Sequence, residues 1–335
     1  MTYHLSHTDL DGYSCQYLTS IAFEKIEYFN SGYGKQIDEN FKTILNKIKK
    51  NDLLLITDLN LTADQSEYID KASTLMGFKL LLLDHHGTGK PSAEKYDWYN
   101  LDVSKCATMI TYEYYKEHFN KAIEYLVSCV NAYDIYLEDD KLFNFGKTMN
   151  GLLMSNRRIF PKVLLNEERK ILFKIIEDSA FILNLTKDVV EAERGIYDTL
   201  RTYLSEGVSN PETLPFDTLK SQFLYNPIVD NEMFDVIEIE GRKVEVYFDM
   251  GDIFQEFSHL RLEKSDLDIA LNIGLMGNIS MRASNNTDIT VDKIAQKYFN
   301  GGGHPKASGG RVDKGEYKRL DREKALEILR ETTSS

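Results

Sequence analysis

With 335 residues, the chain is longer than one typical domain and shorter than three, so two domains are expected. A composition of 42% hydrophobic and 28% charged residues is that of a protein with ample core, and no apolar run approaches the ~20 residues of a membrane span. The net charge of −13 argues against long duplex DNA as a partner, which needs a broad basic face, but leaves room for a small anion held by metal and a few basic side chains. The N-terminus has no basic segment followed by an apolar one, so no signal peptide is expected. Cys15, Cys106 and Cys129 are widely spaced with no CxxC, and read as reduced thiols of a cytoplasmic protein.

Strand-like runs at Tyr3–Ser6, Ile26–Phe29, Asp52–Thr57 and Lys79–Leu83 alternate with helical patterns at Tyr13–Glu24, Ile37–Lys49 and Ala63–Met76. Such alternation implies crossovers and a parallel sheet covered on both faces, and the unbroken apolar runs LLLIT and LLLLD suit its centre. Helical sequence follows from Thr108 to about Ser205, with a charged stretch, Glu167 to Tyr203, expected as one long connecting helix. The turn formers of Ser205 to Thr218 mark a linker. Beyond it, strands are expected at Val236–Ile239, Lys243–Phe248, Leu267–Leu275 and Asn278–Met281, with helices near Asp252–Ser258 and Val291–Phe299. The fold class is therefore α/β: a larger parallel-sheet domain over 1–160, a helical connector over 161–215 and a smaller α/β domain over 216–335.

Chemistry gathers where the early strands end. HTDLDG places His7, Asp9 and Asp11 after the first strand, Asp58 follows the third, and Asp84, His85 and His86 follow the fourth. Ligands of open parallel sheets bind beyond the carboxyl ends of strands, where all three clusters fall. In isolation Asp11 reads as the cap of a helix beginning near Gly12, Asp9 as solvated and Asp58 as a cap. Together, this much like charge at one edge calls for cations. The number of ligands suggests two ions, and mixed imidazole and carboxylate ligation favours manganese, with cobalt or iron as alternatives, over magnesium. DLDG lacks the remaining ligands of a calcium loop, and no HExxH is present.

HTDLDG, the strand-terminal Asp58, the DHH of Asp84–His86 and NAYDIY with Asp134 resemble, in order and spacing, the four motifs of the DHH phosphoesterase superfamily. NGGGHPKASGG, Asn300 to Gly310, resembles the GGGH signature of its DHHA1 partner domain, so the resemblance covers nearly the whole chain. It implies that His7, Asp9 and Asp58 hold one metal, and that Asp11, Asp58, His85 and Asp134 hold the other, with Asp58 bridging. Asp84 would support a neighbouring histidine and His86 would face the substrate phosphate. Asp134 is promoted by the resemblance alone, since AYDIY by itself reads as a helix end.

The glycine loop read alone is a turn before a last strand, and it lacks the ending of a P-loop. Successive glycines also let backbone N–H groups approach an anion, with His304, Lys306 and Arg311 adding donors beside Gly302 and Gly303. Arg282 stands where nucleotide-cutting DHHA1 proteins carry a substrate-binding arginine; Lys90 is expected to be solvated. The resemblance implies a dinuclear-metal phosphodiesterase. A metal-bridging hydroxide would cut short oligonucleotides or linear dinucleotides such as pApA and pGpG in a cleft between the domains. The alternatives are a cyclic-dinucleotide phosphodiesterase, a phosphoadenosine-phosphate phosphatase, a RecJ-like single-strand exonuclease and a catalytically silent binding protein. A manganese pyrophosphatase would carry a different second domain. Duplex DNA and membranes are not expected partners; a homodimer is compatible with this reading.

Overall fold

In the computed structural model, which describes residues 1–157, 165–317 and 319–334, the apolar runs of the first half form a five-stranded, all-parallel sheet. The elements are β1 (Thr2–Ser6), α1 (Leu10–Ala22), β2 (Ile26–Asn30), α2 (Lys35–Leu45), β3 (Leu53–Thr57), α3 (Ala63–Met76), β4 (Lys79–Asp84), α4 (Lys90–Ala93) and β5 (Tyr99–Leu101). Both faces are buried, which is why β3 and β4 read as continuous apolar runs. Leu54, Ile56 and Leu82 pack with Ile37, Phe41 and Ile44 of α2 and Ile69 of α3, whereas Leu55 and Leu83 point to the other face with Ile110. Each such side chain contributes about 1.5–3 kcal/mol on burial.

The strand order is β2-β1-β3-β4-β5. The chain leaves β1 for one side, then crosses to β3 on the other, and this reversal opens a crevice at the carboxyl ends of β1 and β3. Register sets the level of what lies there. Ser6 pairs with Thr57 and Thr57 with Leu83, so the residues that follow, His7, Asp58 and Asp84, leave the sheet side by side.

Helices then dominate: α5 (Ala107–Tyr114), α6 (Lys121–Asp134), α7 (Phe143–Arg157), α8 (Leu165–Thr186) and α9 (Val189–Leu204). The single long helix expected over Glu167–Tyr203 is two. Lys187 takes φ 57°, and Asp188 restarts the helix by accepting the Glu191 N–H at 2.9 Å. The chain divides into two units, Met1–Ser155 with Arg169–Thr199, and Asn156–Glu168 with Leu200–Ser335. The expected boundary at 160/161 lies outside the described residues.

The expected linker is partly ordered. Arg201 Nη2 donates to the carbonyls of Pro211 (2.8 Å) and Leu214 (2.6 Å), and α10 (Phe216–Asp230) begins within it. The second unit continues with β6 (Asp235–Ile239), β7 (Arg242–Phe248), α11 (Phe254–Glu263), β8 (Ile269–Ile273), β9 (Asn278–Ala283), α12 (Val291–Tyr298), β10 (Gly302–His304), β11 (Ala307–Arg311) and α13 (Arg322–Thr333). Its six-stranded mixed sheet has the order β10-β11-β9-β8-β7-β6. Val244, Leu271 and Met281 form a core with Ile294 of α12 and Leu329 of α13. Glu245, buried in β7, is held bidentately by Arg261 at 2.9 and 2.7 Å.

A buried basic residue braces the first unit. Arg169 of α8 donates through Nη1 to Gln16 Oε1 and Asn30 Oδ1, and its guanidinium lies 4.8 Å from the Tyr28 ring. Asn30 in turn donates to the His7 carbonyl at 2.9 Å. Arg169→Met should destabilise the first unit by about 2–3 kcal/mol, the loss of buried charge-assisted hydrogen bonds, read as a lower urea midpoint.

Candidate metal centre

The turn after β1 is built by one cap and one glycine. Asp9 Oδ1 accepts the Gly12 N–H at 3.0 Å and so caps α1, a role expected of Asp11 from sequence. Gly12 allows α1 to start that close, since a Cβ there would stand 2.4 Å from the His7 carbonyl oxygen. Asp11 caps a different helix. Its two carboxylate oxygens accept the Ala107 and Thr108 N–H groups, each at 2.8 Å, at the N-terminus of α5, where the helix dipole favours negative charge. Asp58 is held in the left-handed region at φ 55°, its N–H bonded to the Leu83 carbonyl at 3.1 Å. A non-glycine residue in this conformation persists only where its surroundings impose it.

These elements bring six of the expected side chains together. His7 Nδ1 lies 2.6 Å from Asp9 Oδ2 and 3.6 Å from Asp58 Oδ2. On the other side of Asp58, His85 Nε2 lies 3.4 Å from Asp58 Oδ1, 3.5 Å from Asp134 Oδ2 and 3.7 Å from Asp11 Oδ2. Asp134 is the last residue of α6, the helix end its sequence suggested, and also faces His85. Asp58 therefore presents one oxygen to each histidine.

The electrostatics are those of crowded carboxylates. Burial, then Asp11 and Asp9, lift the Asp58 carboxyl well above the usual carboxylate range, and burial with Asp11 and Asp9 pushes Asp134 up to about 9. Asp9 moves the other way, to about 2, because hydrogen bonding and charge from His7 outweigh its burial. Burial lowers His85 despite the surrounding aspartates. Asp58 Oδ2 and Asp134 Oδ2 are buried and accept no hydrogen bond. Orphaned carboxylate oxygens among imidazoles suit divalent cations. The donors form three overlapping groups, His7 with Asp9 and Asp58, Asp11 with His85 and Asp134, and Asp58 with His85 and His86, each compact enough to hold an ion.

His86 is oriented by Asp84. Its Nδ1 is 2.7 Å from Asp84 Oδ1, and the other Asp84 oxygen accepts the Tyr99 hydroxyl at 2.7 Å. Burial opposes charge on His86, but the bond to Asp84 outweighs it and raises the pKa above the ordinary imidazole value. Its Nε2 meets the Tyr33 hydroxyl at 2.9 Å. Sequence reasoning missed Tyr33 and Tyr99. The glycines flanking Tyr33 in SGYGK, just past a strand, were the available signal for the first; nothing local marks the second. His4 is a core residue: burial holds it neutral, down to about 3, between Thr19 and Thr57 hydroxyls.

The second unit carries the remaining candidates on neighbouring strands. His304 of β10 pairs across the sheet with Ala307 of β11, which pairs with Arg282 of β9. Arg282 Nη1 donates to the Met281 carbonyl at 2.9 Å, and burial lowers its pKa. The glycines divide. A Cβ on Gly301 would lie 2.0 Å from the Gly309 carbonyl, and Gly303 has φ +148°, whereas a Cβ on Gly302 would meet nothing within 4 Å. Packing explains the first two and leaves Gly302 unexplained. Lys306 donates to the carbonyls of Ser284 (2.7 Å) and Thr287 (2.6 Å), bracing that loop, and Arg311 is exposed at the end of β11. Lys90 is exposed, 3.9 Å from Glu94.

The raised carboxyl pKa values make metal-free stability depend on pH. The unfolded chain releases the Asp134 proton near the ordinary carboxylate value, while the folded protein keeps it to about 9, so the folded state binds more protons between and loses stability as pH rises. Asp134→Asn should flatten the fall in metal-free stability between pH 5 and 8 by up to ~1.4 kcal/mol per unit. Urea titrations of chelator-treated wild type and variant check this.

No family model matches this sequence. A curated 3′,5′-cyclic-nucleotide phosphodiesterase of Helicobacter pylori (strain ATCC 700392 / 26695) is 30% identical over 327 residues, 93% of this chain and 92% of that protein. Oligoribonuclease NrnB of Bacillus subtilis (strain 168) is 27% identical over 327 residues, 92% of this chain and 72% of the relative. The crystal structure of an uncharacterized protein from Helicobacter pylori G27 superposes with a TM-score of 0.85 at 28% identity, over 100% of this chain and 99% of that one. Similarity along nearly the full length of a curated relative, over a chain whose four aspartate–histidine motifs meet at one sheet edge, establishes that this protein belongs to the DHH/DHHA1 superfamily of phosphoesterases, enzymes that hydrolyse phosphoester bonds.

Proposed function

We propose that the protein is a dinuclear-metal phosphodiesterase that cuts short oligonucleotides or linear dinucleotides to mononucleotides. The observation that carries this is Asp58, held at a left-handed φ with one oxygen toward His7 and the other toward His85. His7, Asp9 and Asp58 would hold one ion, and Asp11, Asp58, His85 and Asp134 the other. Imidazole beside carboxylate favours manganese. Bound ions would supply Lewis-acid activation of water and of the phosphoryl group for in-line displacement.

The chain's own residues supply orientation. Asp84 accepts from His86 Nδ1 and thereby aims Nε2 outward, where it can meet a phosphoryl oxygen. Tyr99 fixes Asp84. Arg282, His304 and the backbone at Gly302 and Gly303 would grip a substrate phosphate, with the open space beside Gly302 as the supporting observation. Lys306 and Arg311 would add positive charge nearby. In the relatives, a B. subtilis oligoribonuclease supports the oligonucleotide reading.

A second reading, hydrolysis of a 3′,5′-cyclic nucleotide, is favoured by the H. pylori relative. A screen with manganese across pApA, pGpG, longer RNA, cyclic mono- and dinucleotides, phosphoadenosine phosphate and pyrophosphate separates the two. We place the enzyme in the cytoplasm, as a monomer or homodimer without affinity for duplex DNA. Free, buried Cys15, Cys106 and Cys129 support a reducing compartment, and no helix among the described residues is long and apolar enough to cross a membrane.

Asp58→Ala should cut turnover by about 10³-fold or more with little loss of fold, since relieved repulsion offsets lost contacts. Wild-type rates in the purified variant would overturn the dinuclear assignment. On oligoribonucleotides, kcat/KM should fall as length rises from two residues to about ten, because the acidic exterior repels an extended polyanion, and added salt should narrow the difference. A length series at two ionic strengths measures both; efficiency that rises with length would favour a long-strand exonuclease.

A further inference from the structure

The position of Tyr33 is explained neither by the metal groups nor by the core. It is 46% exposed, yet its hydroxyl sits 2.9 Å from His86 Nε2 and its ring centroid lies 5.0 Å from that of His7. The side chain reaches from the loop after β2, at one edge of the sheet, to His86, two residues past β4, passing over the crevice where β1 and β3 end.

The loop that presents it is anchored. Ser31 N–H donates to the Ser6 carbonyl at 2.9 Å, Gly32 N–H to Gln36 Oε1 at 2.8 Å, and Gln65 Nε2 to the Gly34 carbonyl at 3.2 Å. Gly34 at φ +74° turns the chain back after Tyr33, a conformation that favours glycine. The phenol is thus presented from both sides rather than lying loosely on the surface.

His86 has one ring nitrogen committed to Asp84 and one in-plane direction left, through Nε2. The Tyr33 hydroxyl stands in that direction. Any phosphoryl oxygen that meets Nε2 must therefore also come within reach of the hydroxyl. A hydroxyl can rotate its proton toward whichever acceptor is there, so an anionic oxygen entering beside Nε2 can accept the Tyr33 hydrogen bond.

We propose that Tyr33 contacts the substrate directly: its hydroxyl and His86 Nε2 converge on one non-bridging oxygen of the phosphoryl group under attack. This rests on the phosphodiesterase reading above. No bond is made or broken at Tyr33; it donates a hydrogen bond that strengthens as negative charge builds on that oxygen, so its removal acts on kcat more than on KM.

The test compares wild type, Tyr33→Phe, His86→Gln and the double variant on pApA in manganese, with manganese affinity measured separately by electron paramagnetic resonance. Tyr33→Phe should lower kcat about tenfold, a typical cost for one lost contact, while manganese affinity stays within about twofold. In the His86→Gln background the same change should cost much less, because both groups serve one oxygen. Unchanged kcat in Tyr33→Phe, a loss confined to manganese binding, or fully additive effects would each overturn the assignment of Tyr33. Turnover by wild type in the same assay keeps these outcomes separate from the activity reading; a wild type inactive on every substrate of the screen would overturn that reading and this one with it.

Discussion

Carboxylates packed at one sheet edge, with no lysine or arginine ion-paired to them among the described residues, are the constraint on which the site depends. Two unit charges 4 Å apart repel by about 4 kcal/mol at an effective dielectric of 20, so Asp11, Asp58 and Asp134 around His85 are tolerable only with compensation. Asp11 receives part of it from two N–H groups at the start of α5. Asp9 receives it from His7 and from the start of α1. Asp58 and Asp134 each keep an oxygen with no donor. The unmet demand falls on two of the three carboxylates that face His85.

Two other buried charges in the chain are treated differently. Glu245 is met by a bidentate guanidinium and by the Tyr247 hydroxyl, which together hold its carboxyl below the usual range against its burial. Arg169 is ringed by carbonyl and amide oxygens and by the Tyr28 ring. Both buried charges, which serve the fold, are given partners. Asp84 follows the same rule through Tyr99 and His86. The unsatisfied oxygens of Asp58 and Asp134 lie at the carboxyl edge of a parallel sheet, where cation binding accounts for them.

Several features of the site were legible in the sequence because they are local. Each metal-type cluster directly follows an apolar run, and a parallel strand that ends in such a cluster delivers it to the carboxyl edge of the sheet. The spacing of NAYDIY and of NGGGHPKASGG carried the resemblance to a superfamily that the full-length relative then established. Local reasoning erred where two readings share one pattern. The periodicity of Glu167–Tyr203 suits one helix or two, and only the left-handed Lys187 separates them. Asp9 and Asp11 are equally good caps on paper, and the contact of Asp11 with a helix almost a hundred residues away settles which helix it serves.

The sequence by itself determined the strand–helix alternation, the apolar interiors of β3 and β4 and the identity of the side chains at their ends, because hydrophobic period and residue chemistry are properties of short segments. Only the tertiary structure decided that Ser6, Thr57 and Leu83 lie in register, that Asp58 turns one oxygen to each histidine, and that Tyr33 reaches His86. Those are relations between segments tens of residues apart. They are set by sheet register and helix packing, to which no single stretch of sequence is bound.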